Sequence, residues 1–284
     1  MSHPSLATVT VDGSFALEQS PFDIVQVDVT HRCNMACSNC YIPNRDVPDL
    51  DAEWILRMLA RLPPRRNIRL VGAEPTMRSD LPELIARVRE LGHHVSILTN
   101  GLTIARREYL RELKDAGLRV VYLSMNGGCD DDAYEVVDGL RCAKKKIQAF
   151  ENLAAEHMYS SIGIIVVPGV NEAQVGNLFR ASAQNRGMRE LHVRGVGAIG
   201  RHMDAPNQLK LEALREIVAT QTGVPLSDVP ERGEGSSYVD FDIGRLHMQI
   251  TEWPDLGSKR RGRLTLEGTV APFFEHVMAN EGGY

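Results

Sequence analysis

The sequence predicts an α/β fold built on a parallel sheet. Between residues 24 and 196, six short apolar runs alternate with five amphipathic segments, which is the element order of strands joined by right-handed helical crossovers. The predicted strands are residues 24–29, 68–71, 95–98, 120–123, 162–167 and 191–196. The predicted helices are residues 51–62, 81–91, 106–116, 141–156 and 172–184. The periodicity does not determine whether the sheet closes.

The first helical segment shows the pattern most clearly. Its apolar residues recur at the i, i+3, i+4, i+7 spacing of a one-sided apolar face, and they are Trp54, Ile55, Met58, Leu59 and Leu62. Pro63 and Pro64 end this helix, because a proline has no backbone N–H to donate and its ring clashes with the preceding turn. Strand and helix then repeat in the same order, which implies parallel pairing.

The composition limits the classes of function. With 284 residues, 43% of them hydrophobic, 24% charged and a net charge of −5, the chain is long enough for one large core, alone or with an appendage. No apolar run approaches the ~20 residues of a membrane span, so we expect no membrane partner. The mild acidity predicts no nucleic-acid partner either, although residues 259–263 are basic. Low cysteine use and the absence of an export signal in residues 1–19 favour a cytoplasmic location.

Three of the five cysteines lie within eight positions, directly after the first predicted strand. Cys33, Cys37 and Cys40 have the spacing C-x3-C-x2-C. A disulfide would need an oxidising compartment, which the missing export signal disfavours. A structural zinc site needs four ligands in a closed tetrahedron, so His31 or a distant residue would have to supply the fourth.

An iron–sulfur cluster is the third alternative for these cysteines. A cubane cluster usually takes four cysteines, and one held by three leaves an iron open to bind a substrate. The spacing resembles the signature of the radical S-adenosylmethionine (SAM) enzymes. The resemblance implies one [4Fe–4S] cluster held by the three cysteines, SAM chelated to its open iron, and cleavage of SAM to a 5′-deoxyadenosyl radical. We favour this cluster over zinc.

The resemblance also implies the architecture. It is an α/β fold, a partial (β/α)6 radical SAM barrel that stays open and has its chemistry at the carboxyl ends of the strands, followed by a C-terminal α+β extension. We expect residues 21–205 to form this core, with an N-terminal extension at residues 1–20 and the C-terminal extension at residues 206–284. Many family members have an aromatic residue before the third cysteine. Here Asn39 stands there, so the adenine contact is expected to be lost or to shift to Tyr41.

The turn after the second strand resembles a SAM-binding motif of the family. Gly72-Ala73-Glu74-Pro75 is similar to Gly-Gly-Glu-Pro, and Ala73 replaces the second glycine. The resemblance implies that Gly72 and Ala73 let the backbone approach the methionine part of SAM and that Glu74 accepts from its ammonium group. Taken alone, the motif would be an ordinary turn.

The later strand ends resemble family motifs more weakly. Asn100 follows the third strand in Thr-Asn-Gly, which is also a frequent turn. Ser124 and Asn126 follow the fourth strand and resemble Ser-x-Asp-Gly, in which the serine lies near the SAM carboxylate or ribose. Asn171 follows the fifth strand, in the loop whose asparagine lies close to SAM. Val196 begins the segment implied to flank the adenine.

Three further alternatives remain open. A Rossmann domain would carry G-x-G-x-x-G after its first strand, and residues 195–200 match those letters only after the sixth. An electron carrier would need complete ligation of its cluster, with Cys129 or Cys142 as the fourth ligand. Residues 166–201 also loosely resemble radical SAM enzymes that methylate pterins or join lipid chains.

The remaining cysteines receive different predictions. Cys142 lies in a helical pattern and is expected to be a small buried hydrophobe. Cys129 follows the fourth strand at the expected mouth of the barrel and is a candidate donor of a hydrogen atom to a product radical, although a partly buried unreactive cysteine is the commoner case. No cysteine follows Cys142, so we expect a single cluster.

The tail is expected to cover the open side of the barrel and to shape the substrate pocket. It combines a helix at residues 209–220, strands at residues 245–251 and 263–270, and a short helix at residues 272–278. The candidate substrate contacts are His202, His247, Trp253, Arg260, Arg261 and Arg263. A solvated basic face and structural histidines are the alternative. If the basic run lines the pocket, an anionic group is favoured, because guanidinium groups match phosphate and carboxylate.

The resulting hypothesis is a radical SAM enzyme that abstracts hydrogen from an unactivated carbon of a small, anionic metabolite. Flavodoxin or ferredoxin is the expected electron donor. Peptide modification is one alternative, disfavoured because residues 1–20 leave no room for a peptide-binding module. Methylation or carbon–carbon bond formation is another, and a non-catalytic electron carrier or zinc module is the alternative from a different class.

Overall fold

The strands form one sheet, and helices cover its apolar face. The structure is a computed structural model that describes residues 13–38, 40, 42, 46–196, 209–234, 237–252 and 261–272. Its strands are β1 (Phe15–Ala16), β2 (Ile24–Thr30), β3 (Asn67–Gly72), β4 (His94–Thr99), β5 (Val120–Ser124), β6 (Tyr159–Val166), β7 (Met188–Gly195), β8 (Glu231–Glu234), β9 (Tyr238–Ile243), β10 (Leu246–Thr251), β11 (Arg261–Leu264) and β12 (Thr269–Pro272). Its helices are α1 (Ala52–Leu59), α2 (Leu81–Glu90), α3 (Arg107–Asp115), α4 (Asp131–Asp138), α5 (Ala143–Ala155), α6 (Glu172–Gln184) and α7 (Leu211–Thr222).

The central part of the sheet is parallel and follows the chain order. The full strand order is β1-β12-β11-β2-β3-β4-β5-β6-β7-β10-β9-β8, and each neighbouring pair from β2 to β7 is parallel. The predicted α/β class is therefore confirmed. β1 and β8 are the two outer strands of this order, so the described sheet is open, as expected for a partial barrel.

The C-terminal segment adds strands to both edges of the parallel sheet. β10 pairs in parallel with β7, and β11 pairs in parallel with β2. β9, β8 and β12 continue these edges in antiparallel fashion. This brings Arg261 and Arg263 beside the first strand of the core. The predicted division into domains, and the predicted covering of the open side, stay predictions.

The six predicted core strands and five predicted helices all correspond to observed elements. Helix α4, which lies between β5 and α5, has no counterpart among the predicted elements. Asp130 caps α4, since its carboxylate accepts from Asp132 N at 2.8 Å and from Ala133 N at 3.3 Å. The helix has only eight residues, four of them acidic, so the cap residue is its clearest sequence signal.

One predicted strand of the tail is wrong. Residues 263–270 do not form a continuous strand, because the chain turns back between β11 and β12. Thr265 N donates to Thr269 O at 2.9 Å, and Gly268 N donates to Thr265 O at 3.1 Å. Of the predicted helix 272–278, Pro272 belongs to β12 and the rest lies outside the described residues.

The two faces of the parallel sheet differ in chemistry. In β2, Val25, Val27 and Val29 are fully buried and belong to the apolar core that includes residues of α1 and α2. Alternate residues point to the opposite face of a strand, and in β2 these include Gln26 and Asp28. The face away from the helices is therefore polar. No helix among the described residues is long and apolar enough to cross a membrane.

Candidate functional site

The three cysteines lie on the loop that leaves the carboxyl end of β2. All three are partly buried thiols that form no disulfide. Cys40 N donates to Cys37 O at 3.4 Å, and Cys33 Sγ accepts from Asn100 Nδ2 at 3.8 Å. Burial raises the pKa of the Cys37 thiol, and the charge of Asp138 and the two neighbouring thiols raise it further. The thiols therefore lie close enough to act on one another.

The donor set of this loop suits an iron–sulfur cluster better than a single ion. Within the part of the chain that the structure describes, no three His, Cys, Asp or Glu side chains gather as a single metal ion requires. A cubane cluster accepts more widely spaced thiolates, because each cysteine binds a different iron. Three soft thiol donors on one short loop fit that cluster.

Helix α4 packs against the cysteine loop and forms hydrogen bonds with it. Ser38 contacts the carbonyl of Val137, with its backbone N–H at 3.1 Å and its hydroxyl at 2.9 Å. Cys142 is buried, as predicted, and packs with Met35 and Tyr134 in a small apolar cluster next to the loop. The unpredicted helix is thus part of the site.

Glu74 connects the turns that follow β3 and β4. Its side chain is fully buried, and its Oε1 accepts from Thr76 N at 3.1 Å, Thr76 Oγ1 at 2.6 Å and Thr99 Oγ1 at 2.7 Å. Its Oε2 accepts from Asn100 N at 2.7 Å. Burial raises the pKa of Glu74, and these hydrogen bonds oppose that effect. Both carboxylate oxygens are engaged within the protein, and the predicted contact to the SAM ammonium group stays a prediction.

Gly72 lies where the backbones of β2 and β3 approach each other closely. Its φ is +131°, and a Cβ atom at this position would lie 2.2 Å from Thr30 O. No larger residue fits there without moving the strand end. Ala73 N donates to Thr30 O at 2.9 Å, so the Gly-Ala-Glu turn is anchored to the start of the cysteine loop.

Asn126 and Asn171, both predicted SAM contacts, have amide groups that bond to the protein. Asn126 Nδ2 donates to Asp138 Oδ1 at 2.7 Å, and its Oδ1 accepts from Ile165 N at 2.9 Å. Asn171 Nδ2 donates to the carbonyls of Asn126 and Ile165 at 2.7 and 2.8 Å. These bonds tie the ends of β5 and β6 together. The part of either residue in binding SAM stays a prediction.

The remaining predicted cofactor residues fall into three groups. Asn100 reaches the cysteine loop, since its Nδ2 donates to Asn34 Oδ1 at 2.7 Å. Ser124 contributes its carbonyl to Lys146, and Val196 is buried at the end of β7. Tyr41 lies outside the described residues.

Cys129 lies against helix α6. Its thiol is exposed and 3.5 Å from Gln174 Oε1, and Asn177 Nδ2 donates to its Sγ at 3.6 Å. Gln174 and Asn177 both belong to α6, on the helical layer of the fold. The role of Cys129 as a hydrogen-atom donor stays a prediction.

The charges of several arginines act on His192, which lies on β7. Burial lowers the pKa of His192 well below its usual range, and the charges of neighbouring guanidinium groups lower it further. These groups belong to Arg194, Arg261 and Arg69. His192 Nε2 lies 2.7 Å from Thr251 Oγ1, which gives the neutral ring a hydrogen-bond partner.

Arg69 is the most deeply placed of these arginines. It is 8% exposed, and its Cζ lies 3.7 Å from the ring centroid of Tyr122. Its Nε is buried without a hydrogen-bond partner among the described residues. Arg69, His192 and Arg194 are functional candidates that were not among the predicted site residues. The sequence pattern that could have identified them is a charged or polar residue at alternate positions of a strand whose other positions are apolar.

The other predicted substrate residues are dispersed. Arg263 forms a buried ion pair with Asp28 across the β11–β2 pair, so it joins the tail to the core. His247 Nδ1 lies 3.0 Å from Asp242 Oδ1, and its Nε2 lies 3.5 Å from Asp240 Oδ2. His202, Trp253 and Arg260 lie outside the described residues.

The fold and the three-thiol loop define an open parallel α/β barrel that is suited to hold an iron–sulfur cluster at its carboxyl edge. The sequence matches the family model of the Radical SAM superfamily over residues 27–181. This chain belongs to the radical SAM superfamily. The resemblance drawn from the cysteine spacing is therefore confirmed, and the family it names uses a [4Fe–4S] cluster and SAM.

Two curated relatives are similar over part of their length. The 7,8-dihydro-6-hydroxymethylpterin dimethyltransferase of Methanocaldococcus jannaschii is 32% identical over 213 residues, which cover 70% of this chain and 42% of that protein. The probable GTP 3′,8-cyclase of Pyrococcus abyssi is 27% identical over 176 residues, which cover 60% of this chain and 56% of that protein. This chain therefore spans about half the length of these two relatives.

A solved structure shares the fold. Streptococcus suis SuiB bound to S-adenosylmethionine superposes with a TM-score of 0.68 at 16% identity, covering 93% of this chain and 62% of that chain. At this level of identity the likeness concerns the fold alone.

Proposed function

We propose that this enzyme holds one [4Fe–4S] cluster through Cys33, Cys37 and Cys40 and abstracts a hydrogen atom from an unactivated carbon of a small, anionic metabolite. When bound, the cluster and SAM supply a 5′-deoxyadenosyl radical by one-electron cleavage of SAM. An external flavodoxin or ferredoxin supplies the electron. The observation that carries the anionic substrate is the group of arginines around His192.

The residues at the strand ends would position SAM. Glu74 fixes two of these turns through four hydrogen bonds, and Gly72 lets them approach the cysteine loop. Asn100 links the second turn to that loop. A site whose supporting groups are already bonded loses little conformational freedom when the cofactor binds, and this supports tight, oriented binding of SAM.

The arginines would bind the anionic end of the substrate. Arg69, Arg194 and Arg261 lie close enough to His192 to lower its pKa, so their charges act on one small region of the polar face. A buried N–H donor without a hydrogen-bond partner is costly, and Arg69 Nε has none among the described residues, although its guanidinium group contacts the Tyr122 ring. A phosphate or carboxylate would supply acceptors in the geometry that guanidinium groups favour.

His192 would serve as a neutral hydrogen-bonding group beside the anion. Its low pKa keeps the ring uncharged at neutral pH, so it adds no further positive charge beside the arginines. Its contact with Thr251 orients one ring nitrogen. The wall of the barrel would shield this region of the polar face and so keep water away from a reactive radical.

Methylation is the second candidate function. The Methanocaldococcus jannaschii relative is named a dimethyltransferase of a pterin, and it is 32% identical to this chain. Such a reaction needs a methyl source, either a second SAM or another donor. The two candidates can be distinguished with a labelled methyl donor. Methylation transfers the labelled carbon to the product, and simple hydrogen abstraction does not.

The experiment begins with anaerobic reconstitution using iron and sulfide, followed by reduction with dithionite in the presence of SAM. We expect 5′-deoxyadenosine, and deuterium transfer into it from a deuterated substrate. A protein that binds stoichiometric zinc and forms no 5′-deoxyadenosine would contradict the proposal. Incorporation of label from methyl-labelled SAM into product would favour methylation.

The anionic substrate class has its own test. Thermal unfolding of the reconstituted protein with SAM is followed while inorganic phosphate or pyrophosphate is added. We expect saturable stabilisation of the wild type. In Arg69→Met the anion concentration that gives half of this stabilisation should rise at least about tenfold, since one guanidinium–anion contact contributes roughly 1.5–3 kcal/mol. Arg57→Met on the exposed face of α1 is the matched control. Equal stabilisation of both variants would contradict an anion site at Arg69.

A further inference from the structure

A buried pair of opposite charges lies beneath the cysteine loop. Lys146 is 0% exposed and Asp138 is 1% exposed, and Lys146 Nζ lies 3.8 Å from Asp138 Oδ2. Lysine and aspartate are almost never fully buried unless they are paired, because removing a charge from water costs several kcal/mol. Packing alone therefore does not explain why these two charged side chains are buried beside the cysteine loop.

The two charges are paired loosely. Lys146 gives its hydrogen bond to Ser124 O at 2.9 Å and not to the carboxylate. Asp138 Oδ1 accepts from Asn126 Nδ2 at 2.7 Å, while Oδ2 is buried without a hydrogen bond to any described residue. Lys146 Nζ also lies 5.2 Å from the ring centroid of Tyr134. Each charge is thus hydrogen-bonded to neutral groups, and the two charges form an ion pair at 3.8 Å without a hydrogen bond between them.

Both charges lie next to contacts with the cysteine loop. Asp138 ends α4 and follows Val137, whose carbonyl accepts from the Ser38 hydroxyl at 2.9 Å. Lys146 contacts the ring of Tyr134, and Tyr134 belongs to the apolar cluster against which Cys33 and Cys37 pack. The charge pair therefore lies directly behind the part of the loop whose thiolates would bind iron. The reduction potential of an iron–sulfur cluster depends on nearby charge and on solvent exposure.

We propose that Asp138 and Lys146 are positioning residues that set the reduction potential of the cluster by balanced, opposite fields. Reduction adds an electron to the cluster, so a nearby cation stabilises the reduced form and a nearby anion destabilises it. With both present, the two effects largely cancel. This inference rests on the cluster site proposed above, because it concerns the charge around Cys37.

The test is a double-mutant cycle on the reconstituted protein, with the cluster midpoint potential and the iron content per chain as readouts. The single variants are Asp138→Asn and Lys146→Met. Asp138→Asn should raise the potential and Lys146→Met should lower it. We expect a change of about tenfold in the ratio of reduced to oxidised cluster at a fixed potential, which is about 59 mV for one electron.

Two further variants complete the test. The double variant should return to the wild-type potential, because it buries no unbalanced charge. Lys145→Met is the matched control, since this neighbouring lysine is exposed and its field is screened by water. We expect its potential to equal that of the wild type.

The outcomes separate the inference from the function on which it rests. Opposite shifts at normal iron content that cancel in the double variant would support it. Shifts in the same direction, unshifted potentials at normal iron content, or loss of iron in the single or double variants would overturn it, because loss of iron would mean that the pair holds the fold of the site and does not set its potential. Wild-type protein that binds no iron would overturn the cluster site and this inference together.

Discussion

The carboxylate of Glu74 accepts the backbone N–H of Asn100 at 2.7 Å, so a residue at the end of β3 fixes the turn that follows β4. The same side chain binds Thr76 and Thr99 and has no exposed surface. In the predicted motif Glu74 is a ligand-binding acid. The contacts indicate that it also holds the carboxyl edge of the sheet in shape.

Glu74→Gln should destabilise the protein. The glutamine side chain would place an NH2 group where a carboxylate oxygen now accepts from Thr76 and Thr99 or from Asn100. An NH2 group cannot accept these hydrogen bonds, and each lost hydrogen bond to a charged group contributes about 1.5–3 kcal/mol. We expect the free energy of unfolding in urea to fall by about 3 kcal/mol or more, together with weaker SAM binding. Glu83→Gln, at an exposed position of α2, should change it by less than about 0.5 kcal/mol. Equal stability of the two variants would show that the four hydrogen bonds contribute nothing.

Gly72→Ala should be far more damaging than Gly92→Ala. Both glycines have positive φ, +131° and +83°, but only at Gly72 would the new Cβ meet an atom, Thr30 O at 2.2 Å. Backbone strain alone costs about 1–2 kcal/mol, and this is the whole effect expected at Gly92. At Gly72 the strand end must move as well. Thermal unfolding and iron content measure the difference, and similar values for both variants would refute the close approach.

His192 should make stability depend on pH. Its pKa in the folded protein lies well below 6.5, the usual value for histidine, so below pH 6.5 the unfolded chain binds a proton that the folded protein does not. Stability therefore falls as the pH decreases from 6.5, by up to about 1.4 kcal/mol per pH unit from this residue. His192→Gln should show a shallower fall between pH about 7 and 5 in urea unfolding.

The matched control for His192 is His157→Asn. His157 is exposed and has φ of +53°, a conformation that asparagine tolerates. We expect its pH profile to equal that of the wild type. A His192→Gln profile that runs parallel to the wild type would mean that His192 titrates normally in the folded state.

The fold could be predicted well because the parallel strands are marked by local patterns. Residues such as Val25 and Val27 lie in short apolar runs, and proline or glycine follows most of the helices between them. Helix α4 escaped prediction because it is only eight residues long and part of its support comes from contacts with the cysteine loop. The β11–β12 turn escaped because Leu264, Leu266 and Val270 continue an alternating pattern across it.

The site could be predicted only in part. The cysteine spacing is a local signal, and it identified the ligand loop from the chain alone. Arg69, His192 and Arg194 lie on different strands, so only the sheet brings them together. The pair of Asp138 and Lys146 likewise comes from two different helices. Sequence spacing cannot reveal such contacts between distant positions.

The central claim is that Cys33, Cys37 and Cys40 hold a cluster with one iron left open for SAM. The most direct measurement is the electron paramagnetic resonance spectrum of the reduced, reconstituted protein before and after SAM is added, with iron content measured on the same sample. We predict about four irons per chain, a spectrum that SAM alters, and loss of both in Cys37→Ala but not in Cys142→Ala. A spectrum that SAM leaves unchanged, or one lost equally in Cys142→Ala, would indicate a fourth protein ligand and contradict the account.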